Sequence, residues 1–407
     1  MRLTSLEKRR ITFFFIFFIC IVPIIGGLNL KFLFNPLLTW IPSYILIILS
    51  LIIWDSSSSY RIVKLYLLWA GVSIIRGFFI ANNYWEWRQF LYGIGDVLLP
   101  SMVFLFKDPQ IISLILHKWI KWVLLLFFMT TFWLIPIDSF HFTIAPVILI
   151  GSFIPLLPNK WKLIIFFLLI IMLLGDFGAR AQMMKAALAL FLSVIVLFKH
   201  IIPSWILKII HWAFYIIPIV LLWLGITGKY NIFKESQDRY TQSPEGAISI
   251  ELTADTRTFI YKDVIESAIK HHYVLFGRSP ARGNDSQVFG AINAEVLKTG
   301  TGKYERYMNE VCHPNVFTWL GLLGLIPWCL IYLTSSYLAI YKSNSFYLKI
   351  IGIFIAFRFF LGWIEDMNEF SIYGLSVWMS IGIGLSPYFR KMDDKVFVSW
   401  YKSIFKN

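Results

Sequence analysis

At 407 residues, with 58% hydrophobic, 18% aromatic and only 15% charged, the chain is too apolar for a soluble globular domain. Its formal charge of +14 calls for no nucleic-acid partner, because lysines and arginines gathered on one face of a membrane, against anionic lipid, account for most of it.

Apolar runs of roughly 20 residues, the length of helix that crosses about 30 Å of hydrocarbon, recur along nearly the whole sequence. About twelve spans are predicted, at 11–28, 40–54, 65–81, 89–106, 122–137, 142–157, 161–175, 182–198, 207–227, 314–340, 347–363 and 370–387. The fold class is therefore an all-α polytopic membrane protein. Residues 1–227 carry the first nine spans, 228–312 form one large, partly helical outer loop, 313–387 carry the last three spans, and 388–407 form a tail.

Orientation follows from the basic residues. Lys8, Arg9, Arg10, Arg61, Lys64, Lys107, Lys118, Lys121, Lys160, Lys162, Lys199, Lys342, Arg390, Lys391 and Lys395 share one side, whereas the opposite short loops keep little more than Lys31 and Arg88. The rich side is cytoplasmic by the positive-inside rule, so both termini are cytoplasmic and 228–312 lies outside. Lys8-Arg9-Arg10 ahead of the first run resembles a secretory signal, but the length of that run and the lack of a small-x-small site favour a retained helix. The three cysteines suggest neither a disulfide framework nor a zinc site.

In chain order, Arg76 and Asp96 fall within spans, where an ionised side chain needs a partner or a cavity; an Asp96–arginine pair between helices is expected. Tyr92-Gly93-Ile94-Gly95 has no preceding strand and reads as close helix packing rather than a nucleotide loop. Arg180 follows the break Gly175-Asp176-Phe177-Gly178-Ala179 at the outer boundary. It either pairs with Asp176 or faces an outward-open cavity, with Lys185 one turn deeper.

The outer loop turns at Ser243-Pro244-Glu245-Gly246 and is helical from about Thr256 to Tyr273, with Ile260, Val264, Ala268 and Ile269 on one stripe. Asp255 suits its N-cap. Arg257, in the first turn, either shares an anion with the free amides or pairs with Asp255 or Glu251. Phe276-Gly277-Arg278-Ser279-Pro280-Ala281-Arg282-Gly283-Asn284 is a turn whose arginines either bind an anion or are simply solvated. His271 and His272, beside Lys270, suit solvated helix-end roles.

His313, in Val311-Cys312-His313-Pro314-Asn315, sits where the polar loop meets the tenth span, an imidazole at the junction of water, headgroups and hydrocarbon. It serves either as a base or as an interfacial cap. Arg358 lies in a span. The acidic turn Glu365-Asp366-Met367-Asn368-Glu369 has the carboxylates for a divalent metal, but is expected instead to be solvated or to partner the loop arginines. In the tail, Val396, Phe397, Trp400, Tyr401, Ile404 and Phe405 form a stripe interleaved with lysines, expected to lie on the cytoplasmic membrane surface.

The arrangement resembles the bacterial O-antigen ligase and polymerase superfamily. The resemblance covers the span layout, the large loop between spans nine and ten, Gly178-Ala179-Arg180, Asp255-Thr256-Arg257, Leu275-Phe276-Gly277, and His313 followed by Gly324. Pro314 stands where the family often has Asn, with Asn315 one place later, and Pro327 replaces a second glycine. The resemblance implies an inner-membrane glycosyltransferase that moves a glycan from an undecaprenyl-pyrophosphate carrier to an acceptor glycan. His313 would be the catalytic base and Arg180 and Arg257 would hold the pyrophosphate, aided by Arg278 and Arg282. Lys185, Asn315, Glu365 and Asp366 are secondary candidates. No cofactor or metal is expected; the bilayer, a chain-length regulator and a flippase are the expected partners. A repeat-unit polymerase is preferred over a ligase acting on lipid A core or protein, and a lipid-linked oligosaccharide flippase is the rival of another class.

Overall fold

The computed structural model describes residues 3–27, 36–131, 143–175, 180–227, 256–286, 290 and 303–406. Among these, regular structure is α-helical apart from a short antiparallel ribbon, β1 (Asn284–Asp285) paired with β2 (Glu305–Arg306) in the register Asn284 to Arg306 and Asp285 to Glu305.

The helices are α1 (Ser5–Phe15), α2 (Pro36–Ile52), α3 (Arg61–Ile80), α4 (Tyr84–Leu98), α5 (Pro109–Lys118), α6 (Pro146–Gly151), α7 (Asn159–Leu174), α8 (Arg180–Leu197), α9 (Ser204–Ile226), α10 (Thr256–Lys270), α11 (Cys312–Tyr341), α12 (Phe346–Leu361), α13 (Ile372–Leu385) and α14 (Asp394–Ser403). Local chemistry starts several of them. Thr4 and Glu7 form a capping box on α1, Asn83 accepts from Trp85 and Glu86 amides on α4, and Asp108 caps α5 with Pro109 at its first position. This last cap corrects the expected span at 122–137, because a helix runs unbroken from Pro109 to Thr130 through wider turns. The expected span at 142–157 is likewise interrupted: α6 is followed by a tighter turn, Ile154–Leu156, that contains Pro155.

Six helices among the described residues are long and apolar enough to cross a membrane: Ser58–Ile80, Tyr84–Phe106, Pro109–Thr130, Arg180–Leu197, Ser204–Gly225 and Cys312–Tyr341. Trp40–Ile52 and Ile372–Leu385 are shorter apolar helices. Large apolar side chains face outward along them, such as Leu68, Ile75 and Phe79 on α3 and Ile209, Ile216 and Ile219 on α9. Surfaces of that size and character belong in lipid, and the molecule is an α-helical membrane protein.

At the centre, α11 packs on α3, α12 and α13. It is broken at Gly321, whose φ of 64° is a left-handed conformation that a side chain resists. The 273–279 turn fills the break. Arg278 and Ser279 amides donate to the Thr318 and Trp319 carbonyls at 2.7 and 3.0 Å, and Leu322 and Leu323 amides donate to Val274 and Leu275 carbonyls at 2.9 and 3.2 Å. Gly277 and Gly321 meet backbone to backbone: a Cβ on Gly277 would lie 2.4 Å from the Trp319 carbonyl oxygen. One stripe of α3 completes the joint. Trp69 Nε1 donates to the Leu320 carbonyl, Ser73 Oγ to the Trp319 carbonyl, and the Arg76 guanidinium to the Phe276 and Gly277 carbonyls. A broken helix at membrane depth is tolerable only when its freed carbonyls find such donors. Arg76 therefore serves the backbone and not Asp96, which corrects the expected carboxylate–arginine pair.

The tail also differs from expectation. Phe397, Tyr401 and Ile404 are buried, and the Tyr401 hydroxyl and Trp400 indole donate to Ile150 and Pro109 carbonyls. The stripe faces the protein, where these aromatics complete a groove beside α6, leaving Val396 outside.

Candidate functional site

The sequence-derived residues fall into two groups at the end of the bundle that carries α10. The first surrounds the turn after α12. Its backbone caps α11: Cys312 and His313 amides donate to the Glu365 and Gly362 carbonyls, both at 3.2 Å, satisfying donors that a helix N-terminus leaves open. The His313 ring is consequently drawn under the turn, 1% exposed, with its centroid 4.6 Å from the Trp363 ring and 5.0 Å from the Phe359 ring. This corrects the expected position of the imidazole at an open water–lipid junction. His313 Nε2 lies 3.1 Å from the Phe359 carbonyl, so it carries the proton and donates. Nδ1 is then the acceptor nitrogen and has no hydrogen-bond partner among the described residues.

Asn315, two residues on, exchanges two hydrogen bonds with the Asn309 backbone at 2.7 and 2.8 Å and donates to Asp366 at 3.1 Å. Asn309 in turn donates to Asn284 on β1, so Asn315 ties the ribbon to the bundle. Neither Glu365 nor Asp366 belongs to a solvated turn, contrary to the sequence expectation. Glu365 receives both of its oxygens' bonds from Lys185 Nζ, at 2.8 and 2.9 Å, and the Tyr373 hydroxyl donates to it at 2.7 Å. Lys185 is wholly buried. The buried Arg358 guanidinium stacks 4.7 Å from the Tyr373 ring, and its Nε and Nη2 have no acceptor among the described residues. Although burial acts to raise the Glu365 pKa, Lys185 and Arg358 hold it below its ordinary value. Burial pushes Asp366 up to about 7, with Glu369 and Glu365 adding to the rise against the Asn368 amide and Asn315.

The second group lies beside the ribbon. Arg282 Nε sits 3.0 and 2.9 Å from the two oxygens of Glu305 in a forked pair that also uses Nη2, and the buried Glu86 carboxylate stands 3.9 Å away with Lys303 on its other side. Arg278 donates to Gly283 O at 2.8 Å and Asp285 at 3.0 Å, and reaches Glu305 at 3.3 Å. Asp285 further holds Lys270 at 2.8 Å and His271 at 2.7 Å. Burial works to raise Asp285, yet Lys270, His271 and Arg278 bring it down to about 2. The two loop arginines thus bind protein carboxylates, a correction to their expected place in an anion site, and His271 is an ion-pair member. His272 ends α10 with φ 55°, the left-handed residue of a helix stop in which the Tyr273 amide reaches back to Ala268. A polar cleft of about 720 Å³ opens over this group, lined by Lys262, Lys270 and Lys303 with the arginines' own partners.

Arg180 is the exposed first residue of α8. Arg257 is placed in the first turn of α10, but its side chain and Asp255, Asp176, Gly178 and Ala179 lie outside the described residues. Hence His313, Asn315, Lys185, Glu365 and Asp366 come together, whereas Arg278 and Arg282 stand apart with Glu86, Asp285 and Glu305. The sequence reading did not single out these acidic partners; Asp285 and Glu305 stand out only as carboxylates among the cations of one loop, and Glu86 comes from the start of α4. Comparison with protein-family models, curated proteins and solved structures returns no match for this chain.

Proposed function

We propose that the protein is an inner-membrane glycosyltransferase of the O-antigen ligase and polymerase type, working on a glycan carried by undecaprenyl pyrophosphate at the outer face. The observation that carries this reading is His313. Its tautomer is set by the Phe359 carbonyl, which leaves the buried Nδ1 lone pair with no hydrogen-bond partner among the described residues. An acceptor sugar hydroxyl is weakly acidic and gains from a base at the moment of attack. Breaking the bond from the anomeric carbon to pyrophosphate builds charge on the leaving oxygen, which the guanidinium groups of Arg180 and Arg257 would stabilise. With Arg278 and Arg282 committed to Glu305, they act in this scheme by holding the turn that fills the α11 break. Attack from the face opposite the leaving group inverts the anomeric centre.

Repeat-unit polymerase is the preferred form, with 228–312 periplasmic and both termini cytoplasmic. Purified protein in vesicles, given an undecaprenyl-pyrophosphate oligosaccharide, should extend or transfer the glycan without moving it across the bilayer. His313→Ala should retain donor binding and lose roughly 10²- to 10⁴-fold in transfer rate. Normal turnover by that variant at equal protein would remove the base, and movement of the glycan without transfer would make the protein a flippase. Loss of the gene should leave single repeat units on the carrier; long uncoupled chains there would instead identify a ligase.

A further inference from the structure

A cavity of about 290 Å³ lies between the segment 18–24 that follows α1, helices α2 and α4 and the segment that leads into α13, and neither the Lys185–Glu365 pair nor the Arg282–Glu305 pair lines it. Its walls are aromatic: Phe18, Trp40, Tyr44, Tyr92 and Phe370. Into this apolar space projects the Asp96 carboxylate, 1% exposed, with the Phe370 backbone amide turned toward it and Oδ2 left with no hydrogen-bond partner among the described residues. Glu369 contributes a second carboxyl group, and no lysine, arginine or histidine is among the described lining residues. A Cβ built on Gly95, which also lines the cavity, meets nothing within 4 Å, so the space begins at the α4 backbone itself.

Each class of ligand fares differently here. An anion meets two carboxyl groups and no lysine, arginine or histidine among the described lining residues, and a purely apolar molecule leaves Asp96 without a partner in a medium where that is unfavourable. A hard metal ion wants six or more oxygen ligands, not aromatic faces. An organic ammonium satisfies both features, since its charge meets the carboxylate while its alkyl groups lie on ring faces whose quadrupole attracts cations. We propose that this cavity binds an organic ammonium ion, held by Asp96 and walled by Trp40, Tyr44, Tyr92 and Phe370. The ammonium comes either from a lipid headgroup or from a soluble amine such as an amino sugar. The site is independent of the glycosyl-transfer reading.

The test uses full-length protein in phosphatidylglycerol nanodiscs and radiolabelled benzyltrimethylammonium. Saturable binding to one site is expected, weakened at least about tenfold by Asp96→Asn, which keeps the side-chain shape but removes the charge. Gly95→Leu, whose side chain would occupy the space, should abolish it. Neopentylbenzene, the neutral isostere with carbon in place of nitrogen, should compete at least about tenfold more weakly than unlabelled probe. Thermal unfolding checks that both variants are folded, and the neutral competitor decides the matter on wild-type protein should either fail. Absence of saturable binding, equal affinity in Asp96→Asn, or equal competition by the neutral isostere would overturn the proposal. Nanodiscs that include phosphatidylethanolamine separate the sources: displacement of the probe assigns the site to a lipid ammonium, and unchanged binding assigns it to a soluble one.

Discussion

Two charged groups at one end of this molecule solve the same problem in different surroundings. Lys185 and Glu365 meet between α8 and the turn after α12, with the lysine side chain at 0% exposure and the carboxylate at 19%. Arg282 and Arg278 meet Glu305 beside the ribbon at 18%, 10% and 4%, but they open onto a cleft and share their charge with Asp285, which is 30% exposed. In the first group a cation taken out of water has one carboxylate and one hydroxyl to rely on. In the second, Arg278 and Arg282 each reach two carboxylates, so loss of one leaves each arginine a second partner. Burial without redundancy should therefore make the first group the more fragile, and because burial wins at Asp366 while cations win at Asp285, the two groups should respond to pH in opposite senses.

The largest effect is expected at the first group. Glu365→Ala leaves Lys185 buried and unpaired, and should destabilise the protein by about 3–5 kcal/mol in a denaturant titration in detergent. The double substitution Lys185→Met with Glu365→Met should recover most of that loss, because both charges are removed together. A single-variant loss below about 1 kcal/mol would place the pair with surface ion pairs and break the comparison.

A smaller effect is expected at the second. Arg282→Lys keeps the charge but not the fork onto Glu305, and should lower stability by about 1–2 kcal/mol, with faster hydrogen exchange confined to 256–286 and 303–311. Exchange that rises equally across α12 and α13 would mean that the ribbon is not a separate cap.

The contrast sharpens further through pH. Asp285 has a folded value near 2, below its ordinary 3.8. Its contribution is present above about pH 4 and is lost as the pH falls toward 2, on the order of 1 kcal/mol after screening at a part-exposed site. Asp366 runs the other way. Its value is raised from 3.8 to about 7, so its contribution is complete below 3.8 and disappears as the pH rises through 7. Melting temperatures between about pH 5 and 8 should therefore fall less in Asp366→Asn than in the parent protein, and Asp285→Asn should flatten only the acid limb. Equal slopes for Asp366→Asn and parent would show that the Asp366 carboxyl is not desolvated.

Much of the candidate site was legible as position and little of it as partnership. His313, Asn315, Lys185, Glu365 and Asp366 could be singled out because charged or polar residues at the ends of apolar runs are conspicuous against hydrocarbon. Which of them touch could not be read, since Lys185 and Glu365 are separated by 180 positions and Arg282 and Glu86 by nearly the whole bundle's packing. Gly277 and Gly321 were visible as glycines. That they are the point where a loop enters a broken helix depends on two backbones meeting, which no local pattern encodes.

Composition and run length by themselves determined that this chain is helical and belongs in a membrane, because hydrocarbon admits a segment only if its side chains are apolar and its backbone bonds close within it. Those conditions are local and repeat with every span. Tertiary structure alone decided that the loop arginines bind protein carboxylates, that His313 is drawn under a turn, and that Asp96 faces a cavity instead of an arginine. A charge is satisfied by whichever group stands within a few ångströms, and that neighbour is set by how distant segments pack.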